Sequence, residues 1–263
     1  MTGAGDETSQ PVLAETVGTV RLLTLNRPEV LNAVNAKLAT QLGEHLEAAE
    51  ADHDVDVVVL TGAGRAFCAG SDMRVTSAGG SVLPQVQEWG YAGIVRHRIG
   101  KPVVAAVNGD CYGGGFEIVL ACDLAVAAAG ARFALPETRR GRIAGAGGLV
   151  RLPHRIPLAV VLELAMTGRP MTADQALRWG LVNDVVQPGR LREAALELAH
   201  TVAESSPLAL QATKRIVYES AERGEAAAWT LNAAQMTTIA ESADAIEGAT
   251  AFREKRPPRW TRR

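Results

Sequence analysis

Two glutamates carry the strongest chemical signal in the chain. Glu117 lies in Tyr112-Gly113-Gly114-Gly115-Phe116-Glu117-Ile118-Val119-Leu120 and is the only charged residue between Gly113 and Cys122. Three consecutive glycines let a backbone approach a ligand closely. The first turn of the helix they lead into offers unpaired N–H groups and a partial positive charge, a good setting for an oxygen that gains negative charge. A tight turn packing a helix on a strand has the same appearance. A carboxylate on an apolar segment is costly to bury, and desolvation raises its pKa. Chains keep such groups chiefly when they are paired or used; the other place for Glu117 is an exposed helix stripe. Glu137 closes Phe133-Ala134-Leu135-Pro136-Glu137, where Pro136 stops a short strand. Loop ends beside strands are where sites collect, although an ordinary helix-start acid looks the same. The segment Ile143-Ala144-Gly145-Ala146-Gly147-Gly148 follows closely and offers further backbone donors. Two carboxylates that share a site can act as general acid and base.

A third glycine-rich segment is Gly62-Ala63-Gly64-Arg65-Ala66-Phe67-Cys68-Ala69-Gly70-Ser71-Asp72. Its Gly62-x-Gly64 start resembles a dinucleotide fingerprint, but Phe67 stands at the third glycine position and no helical pattern follows. A loop whose backbone N–H groups face a ligand fits better. There is no GxSxG nucleophile elbow, the five histidines have no suggestive neighbours, and no metal-ligand spacing occurs.

The elements that must position these residues follow from periodicity. Val17–Leu25 reads as a strand broken by Asn26-Arg27-Pro28, and Ala33–Asp52 has the helical stripe Leu38, Leu42, Leu46, Ala49. Val55–Thr61, Val103–Val107 and Leu124–Ala127 are nearly continuous apolar runs, which predicts a parallel sheet buried on both faces. Residues 75–100 have poor periodicity and read as a loop with a helix around Leu83–Ile99. From Leu158 onward the pattern is helical, with Leu191–Ala203, Pro207–Arg223, Glu225–Ile239 and Ala243–Lys255 as successive helices. The expected organisation is a disordered leader at 1–10, a core at 11–190 and a helical region at 191–263.

The bulk numbers narrow the function classes. With 263 residues, 47% hydrophobic but 4% aromatic, the chain has material for one large core built from Ala, Val and Leu. A formal net charge of −2 provides no general attraction for nucleic acid or an anionic membrane. The basic cluster Arg253, Lys255, Arg256, Arg259, Arg262, Arg263 is a local exception. Cys68, Cys111 and Cys122 form no CxxC, so reduced, buried thiols and a cytoplasmic location are expected. Residues 1–10 have no apolar h-region, and no apolar run is long enough to span a bilayer.

Taken in order, Phe67-Cys68-Ala69-Gly70-Ser71-Asp72, Lys101-Pro102-Val103-Val104-Ala105-Ala106-Val107-Asn108-Gly109, Gly113-Gly114-Gly115-Phe116-Glu117 and Leu135-Pro136-Glu137 resemble the enoyl-CoA hydratase/isomerase, or crotonase, superfamily. The resemblance runs from Leu25-Asn26-Arg27-Pro28 to Arg253. It implies an α/β fold, a spiral of ββα units followed by a C-terminal helical trimerisation region, assembling as a homotrimer or a dimer of trimers. It implies an oxyanion hole from the backbone N–H groups of Ser71 and Gly114, and water chemistry by Glu117 and Glu137. Glu117 would activate water, Glu137 would supply the C2 proton, and Gly145 would help place the water or Glu137. Coenzyme A would be part of the substrate, with no separate cofactor and no metal. Its adenine and pantetheine arm would follow the backbone of Ala66, Cys68, Ala69, Gly70, Ser71, Asp72 and Met73. Arg65 and Arg74 are the candidates for phosphate contact, and Phe252 and Lys255 would help cover a nucleotide, often a neighbouring subunit's.

Within the family, Arg151-Leu152-Pro153, Met166-Thr167-Gly168-Arg169, Ala176-Leu177-Arg178-Trp179-Gly180 and Asp244-Ala245-Ile246-Glu247-Gly248 look like carnitinyl-CoA dehydratases. Asp110 stands where those have an aromatic residue, Ala144 where they have Pro, and Arg139 and Arg140 add positive charge beyond Glu137. Acyl specificity is expected in residues 75–100, which include Trp89 and Tyr91. The implied function is a 2-enoyl-CoA hydratase. The alternatives are a carnitinyl-CoA dehydratase, an enoyl-CoA isomerase working through Glu137, and a non-catalytic acyl-CoA-binding homologue.

Overall fold

The computed structural model describes residues 10–76 and 84–262. The expected leader lies outside the described residues but for Gln10, as does the start of the expected helix at Leu83. The first elements are strands β1 (Val12–Val17) and β2 (Val20–Leu25), an antiparallel hairpin turned at Gly18 with φ +60°. The sequence predicts a single strand over Val17–Leu25. β1 has no apolar signature because it is a sheet edge with four of its six residues exposed. Helix α1 (Ala36–Ala51) begins later than its apolar pattern, at the cap where Asn35 accepts from Leu38 N at 2.9 Å.

Strands and helices then alternate. β3 (Val57–Gly62), β4 (Ala66–Cys68) and the one-turn helix α2 (Met73–Thr76) lead to the two-residue strands β5 (Gln85–Val86) and β6 (Gly90–Tyr91). After them come β7 (Val103–Val107), β8 (Asp110–Tyr112), α3 (Gly114–Ala121), β9 (Leu124–Ala128), β10 (Arg132–Ala134) and α4 (Gly148–Arg151). The run continues with α5 (Leu158–Thr167), β11 (Met171–Thr172), α6 (Ala173–Arg178) and β12 (Asp184–Val186). The helix expected around 83–99 is absent among the described residues. Gly90, Ala92 and Gly93 all have φ between +56° and +72°, which no helix tolerates. The predicted helical block from Leu158 is interrupted by β11 and β12.

One sheet has the order β1-β2-β3-β7-β9-β12, parallel from β2 onward; a second has the order β11-β10-β8-β4. Each turn of the chain lays one strand in the large sheet, one in the small sheet, then a helix: β3-β4-α2, β7-β8-α3, β9-β10-α4. This is the α/β spiral of ββα units that the motifs imply. The apolar runs are buried on both faces. Leu23, Leu25, Val58, Leu60 and Ala105 point into the main core, which also holds Phe67, Phe116 and Phe133. Val20, Leu22, Val57, Val59, Val104 and Ala106 point the other way, under Leu191, Ala195 and Ala199 of α7 (Leu191–Ala203). Burying one such aliphatic side chain contributes about 1.5–3 kcal/mol, so the alternation holds the sheet from two sides.

The remaining helices are α8 (Pro207–Arg223), α9 (Glu225–Ala240) and α10 (Ala243–Glu254). α8 is pinned to the core by Asp123, which accepts from Lys214 Nζ at 2.7 Å and from the Tyr218 hydroxyl at 2.9 Å. The basic tail is clasped rather than free. Arg256 forks onto Glu247 at 2.7 and 2.9 Å, Thr261 N donates to Asp244 at 2.7 Å, and Arg262 reaches Asp56 at 2.7 Å. Val217, Trp229, Met236, Ile246 and Phe252 stand exposed on these helices. Among the described residues no helix is long and apolar enough to cross a membrane.

Candidate active site

The loop before α1 sets the geometry. Asn32 is fully buried with φ +56°, and its side-chain nitrogen donates to Ala63 O, Ala66 O and Phe67 O at 2.9–3.1 Å. It ties the loop to the β3–β4 connection. Val34 then pairs with the segment after β4: Val34 N donates to Gly70 O at 2.8 Å and Asp72 N donates to Val34 O at 2.9 Å. In a trans peptide the N–H opposes the carbonyl. Because Gly70 O faces Val34, Ser71 N–H faces the opposite side. Among the described residues no hydrogen bond takes up Ser71 N–H or Gly114 N–H.

Close approach explains the glycines. Gly70 has φ +93°, and a Cβ there would lie 3.0 Å from Tyr112 O and 3.1 Å from Gly114 N. A Cβ on Gly113, where φ is +54°, would lie 2.8 Å from Glu137 Oε1. A Cβ on Gly114 would collide with the Tyr91 hydroxyl, and one on Gly115 with Cys68 O. The start of α3 is thus pressed by three different neighbours, which only bare backbone permits.

Glu117, 3% exposed, projects from α3 into the protein interior. Its Oε1 accepts from Ala146 N at 2.7 Å and from Gly148 N at 2.9 Å. Burial pushes its pKa from 4.5 up to about 7, and the nearby Glu137 charge adds to this against the pull of the two N–H groups. Glu137 opens the 3-10 turn Glu137–Arg140, with Pro136 at the N-cap. Its Oε2 is buried and has no hydrogen-bond partner among the described residues. Burial raises its pKa, opposed by its own backbone N–H and the Arg140 charge.

The structure brings Glu117, Glu137, Gly114 and Ser71 together. Gly145 itself is exposed, and the donors of its segment, Ala146 and Gly148, serve Glu117 rather than Glu137. Ala66 and Cys68 are buried, the Cys68 thiol donating to Asn32 O at 3.1 Å, so only their backbone can meet a ligand. Ala69 and Gly70 continue that backbone; Met73 and Arg65 are exposed beside it. Asp72, 5% exposed, is a brace: it takes Arg27 at 3.1 Å and a fork from Arg74 at 2.8 and 3.0 Å, which hold its carboxyl at about 2. The Arg74 guanidinium, expected on a phosphate, is 66% exposed and forks onto Asp72 in this chain. Phe252 is 88% exposed, and Lys255 caps α10 with φ +53°; α10 packs on α9, so this pair is not brought to the 65–74 segment. Arg139 turns away to Thr167 O at 2.5 Å. Asp110 is forked by Arg132 at 2.9 and 3.0 Å. A cavity of about 880 Å³ under α8 and α9 touches neither glutamate.

The sequence names the 143–148 segment for its backbone donors but does not single out Ala146 and Gly148, because an N–H group leaves no residue-type signature. In the sequence Tyr91 is named only within the region expected to set acyl specificity; the structure buries it 3.2 Å from Ser71 Oγ, between Gly90 and Gly93.

The enoyl-CoA hydratase/isomerase family model matches residues 15–263. A carnitinyl-CoA dehydratase of Proteus mirabilis is 40% identical, covering 96% of this chain and 98% of that protein. A crystal structure of an enoyl-CoA hydratase from Mycobacterium tuberculosis superposes with a TM-score of 0.92 at 40% identity, over 97% of this chain and 100% of the other. One of a carnitinyl-CoA hydratase from Mycobacterium avium gives 0.78 at 47% identity, with the same coverage.

Proposed function

Because the chain belongs to the enoyl-CoA hydratase/isomerase family, we propose that it is an acyl-CoA hydro-lyase, adding water across the double bond of a 2-trans-enoyl-CoA and catalysing the reverse dehydration. The observation that carries this reading is the asymmetric carboxylate pair. Glu117 Oε1 is held by two N–H donors, which favour its ionised form and leave the other oxygen for a water. Glu137 Oε2 is buried with no partner among the described residues, a setting that favours the neutral acid.

In hydration, Glu117 takes a proton from water as its oxygen bonds to C3, and Glu137 delivers its proton to C2. The thioester oxygen gains charge between the two steps and is held by Ser71 N–H and Gly114 N–H. The proton gained by Glu117 is then exchanged for the one Glu137 lost. The coenzyme A arm follows the backbone of residues 66–73, with Arg65 beside it. The exposed apolar residues of α8–α10 support self-association of this chain, as a trimer or a dimer of trimers.

A second reading, carnitinyl-CoA dehydratase, is supported by the names of curated relatives at 40% and 41% identity. Its trimethylammonium head group needs an aromatic face or a carboxylate. Asp110 is already neutralised by Arg132, so the unsubstituted enoyl thioester is preferred.

The test follows the loss of enoyl-thioester absorbance with crotonyl-CoA, a medium-chain enoyl-CoA and crotonobetainyl-CoA. Turnover of the first two is expected to exceed that of the third. Preference for crotonobetainyl-CoA would move the assignment to the second reading. Binding without turnover of any of them would leave a non-catalytic acyl-CoA-binding protein.

A further inference from the structure

The segment that carries Tyr91 is built at a conformational cost. Gly90, Ala92 and Gly93 have φ of +72°, +56° and +72°, and Ala92 is a fully buried non-glycine residue in that region. Such strain is of order 1–3 kcal/mol and persists where the surroundings impose it. Here they do. Gly93 is pressed on the backbone of α1, Ala92 N donates to Pro84 O at 3.0 Å, and Tyr91 O accepts from Ile94 N at 3.2 Å and Val95 N at 3.1 Å. The result is a phenol, 2% exposed, delivered against Gly114 and 3.2 Å from Ser71 Oγ. It therefore touches both residues whose N–H groups are assigned to the thioester oxygen.

Counting hydrogens shows what this placement can do. Each hydroxyl carries one hydrogen, and the bond between them uses one. No other hydrogen bond engages either hydroxyl among the described residues. One hydrogen of the pair is left to be donated, and a buried tyrosine hydroxyl ordinarily has a partner. We propose that the Ser71 hydroxyl donates to Tyr91, and that Tyr91 O–H is a third donor to the thioester oxygen, beside the two backbone N–H groups. The inference rests on the acyl-CoA reading above and adds a side chain to the machinery that holds the developing charge. Tyr91 is then a catalytic residue, because its hydrogen touches the oxygen on which charge accumulates. Ser71 acquires a second role, orienting the phenol.

The test reads the carbonyl directly. Butyryl-CoA labelled with carbon-13 at its thioester carbon lacks the double bond and is not turned over. Its carbonyl stretch, measured by difference infrared spectroscopy, falls as donors polarise the bond. In Tyr91→Phe the stretch is expected to move back toward higher frequency. Butyryl-CoA affinity should stay within about 3-fold, while kcat for crotonyl-CoA falls about 10- to 100-fold at nearly constant KM, the pattern of a donor that acts mainly in the transition state. Ser71→Ala keeps the Tyr91 donor and should keep most of the shift. Should Tyr91→Phe fold poorly, 3-fluorotyrosine at position 91 preserves the ring and makes the phenol a stronger donor, so the stretch should fall further. An unchanged stretch and kcat in Tyr91→Phe, or an unmoved stretch with 3-fluorotyrosine, overturns this inference and leaves the hydratase reading intact. If the unmodified protein neither binds butyryl-CoA nor turns over crotonyl-CoA, the acyl-CoA reading fails and this inference fails with it.

Discussion

Glu117 and Glu137 are the same residue type in neighbouring positions of one site, yet their surroundings differ. Glu117 stands on a helix in the main core and gives one oxygen to two backbone N–H groups. Glu137 stands on a 3-10 turn with one buried oxygen that finds no partner among the described residues. Burial raises both pKa values, that of Glu117 to about 7 with the Glu137 charge adding to it; backbone N–H groups oppose the rise at each, and the Arg140 charge opposes it at Glu137. On the proposed reading, what separates base from acid is the placement of backbone N–H groups around two identical side chains rather than residue identity.

The largest effect should come from removing either carboxylate. Glu117→Gln and Glu137→Gln are each expected to lower kcat for crotonyl-CoA by about 100- to 10,000-fold, the range for a lost general acid or base. Stopped assays with circular dichroism on the same samples check this. If either variant keeps full hydratase turnover, the paired-carboxylate mechanism is wrong.

The second effect is on stability. Burial holds the folded pKa of Glu117 at about 7, above 4.5 in the unfolded chain. Between those pH values the folded chain keeps a proton that the unfolded chain has released, so stability falls as pH rises through the window. The loss is about 3 kcal/mol at 1.36 kcal/mol per pKa unit. Glu137, shifted in the same direction, adds to it. Urea unfolding at pH 5 and pH 8 should show this decline in the unmodified protein and a shallower one in Glu117→Gln. Equal slopes would mean that Glu117 carries no burial penalty.

The third pair of variants perturbs one side of the site at a time. A Cβ on Gly148 would lie 3.1 Å from Glu117 Oε1, and one on Gly113 would lie 2.8 Å from Glu137 Oε1. Gly148→Ala and Gly113→Ala are each expected to reduce kcat about 10- to 100-fold by displacing one carboxylate. If Glu117 is the base, Gly148→Ala should also move the acidic limb of the pH–rate profile, and Gly113→Ala should leave that limb in place. The smallest effect concerns substrate choice. Arg132→Ala frees the Asp110 carboxylate, and an exposed pair of this kind contributes about 0.2–1 kcal/mol. Preference for crotonobetainyl-CoA over crotonyl-CoA should rise by only a few-fold in competition assays.

The legible parts of the molecule were those in which residue type and environment coincide. Continuous Val and Ala runs and apolar stripes at helical spacing each have one dominant physical explanation. That suffices for the parallel sheet and for α1 and α7–α10. The two glutamates each have an ordinary reading as well, and the motif order shared with a family is what singles them out. What was not legible depends on partners. β1 is an exposed edge defined by its pairing with β2. Residues 84–99 turn through left-handed backbone at Gly90, Ala92 and Gly93, which periodicity does not register. Ala146 and Gly148 contribute only N–H groups, which every residue except proline has. Arg74 shows a charge in the sequence but not its fork onto Asp72.

Asn32 has a consequence for how the protein ages. Asparagine decays when the backbone nitrogen of the following residue attacks its side-chain amide and expels ammonia. In the folded chain Asn32 is fully buried, and Ala33 N is engaged with Val30 O at 3.1 Å, so the reaction has neither room nor nucleophile. An unfolded chain has no such protection. Once Asn32 has become aspartate, a carboxylate stands where three carbonyl oxygens require a donor, and the loop that presents Ser71 has lost its tether. Damage at this one position is therefore invisible in a chain that stays folded and appears as a failure to refold.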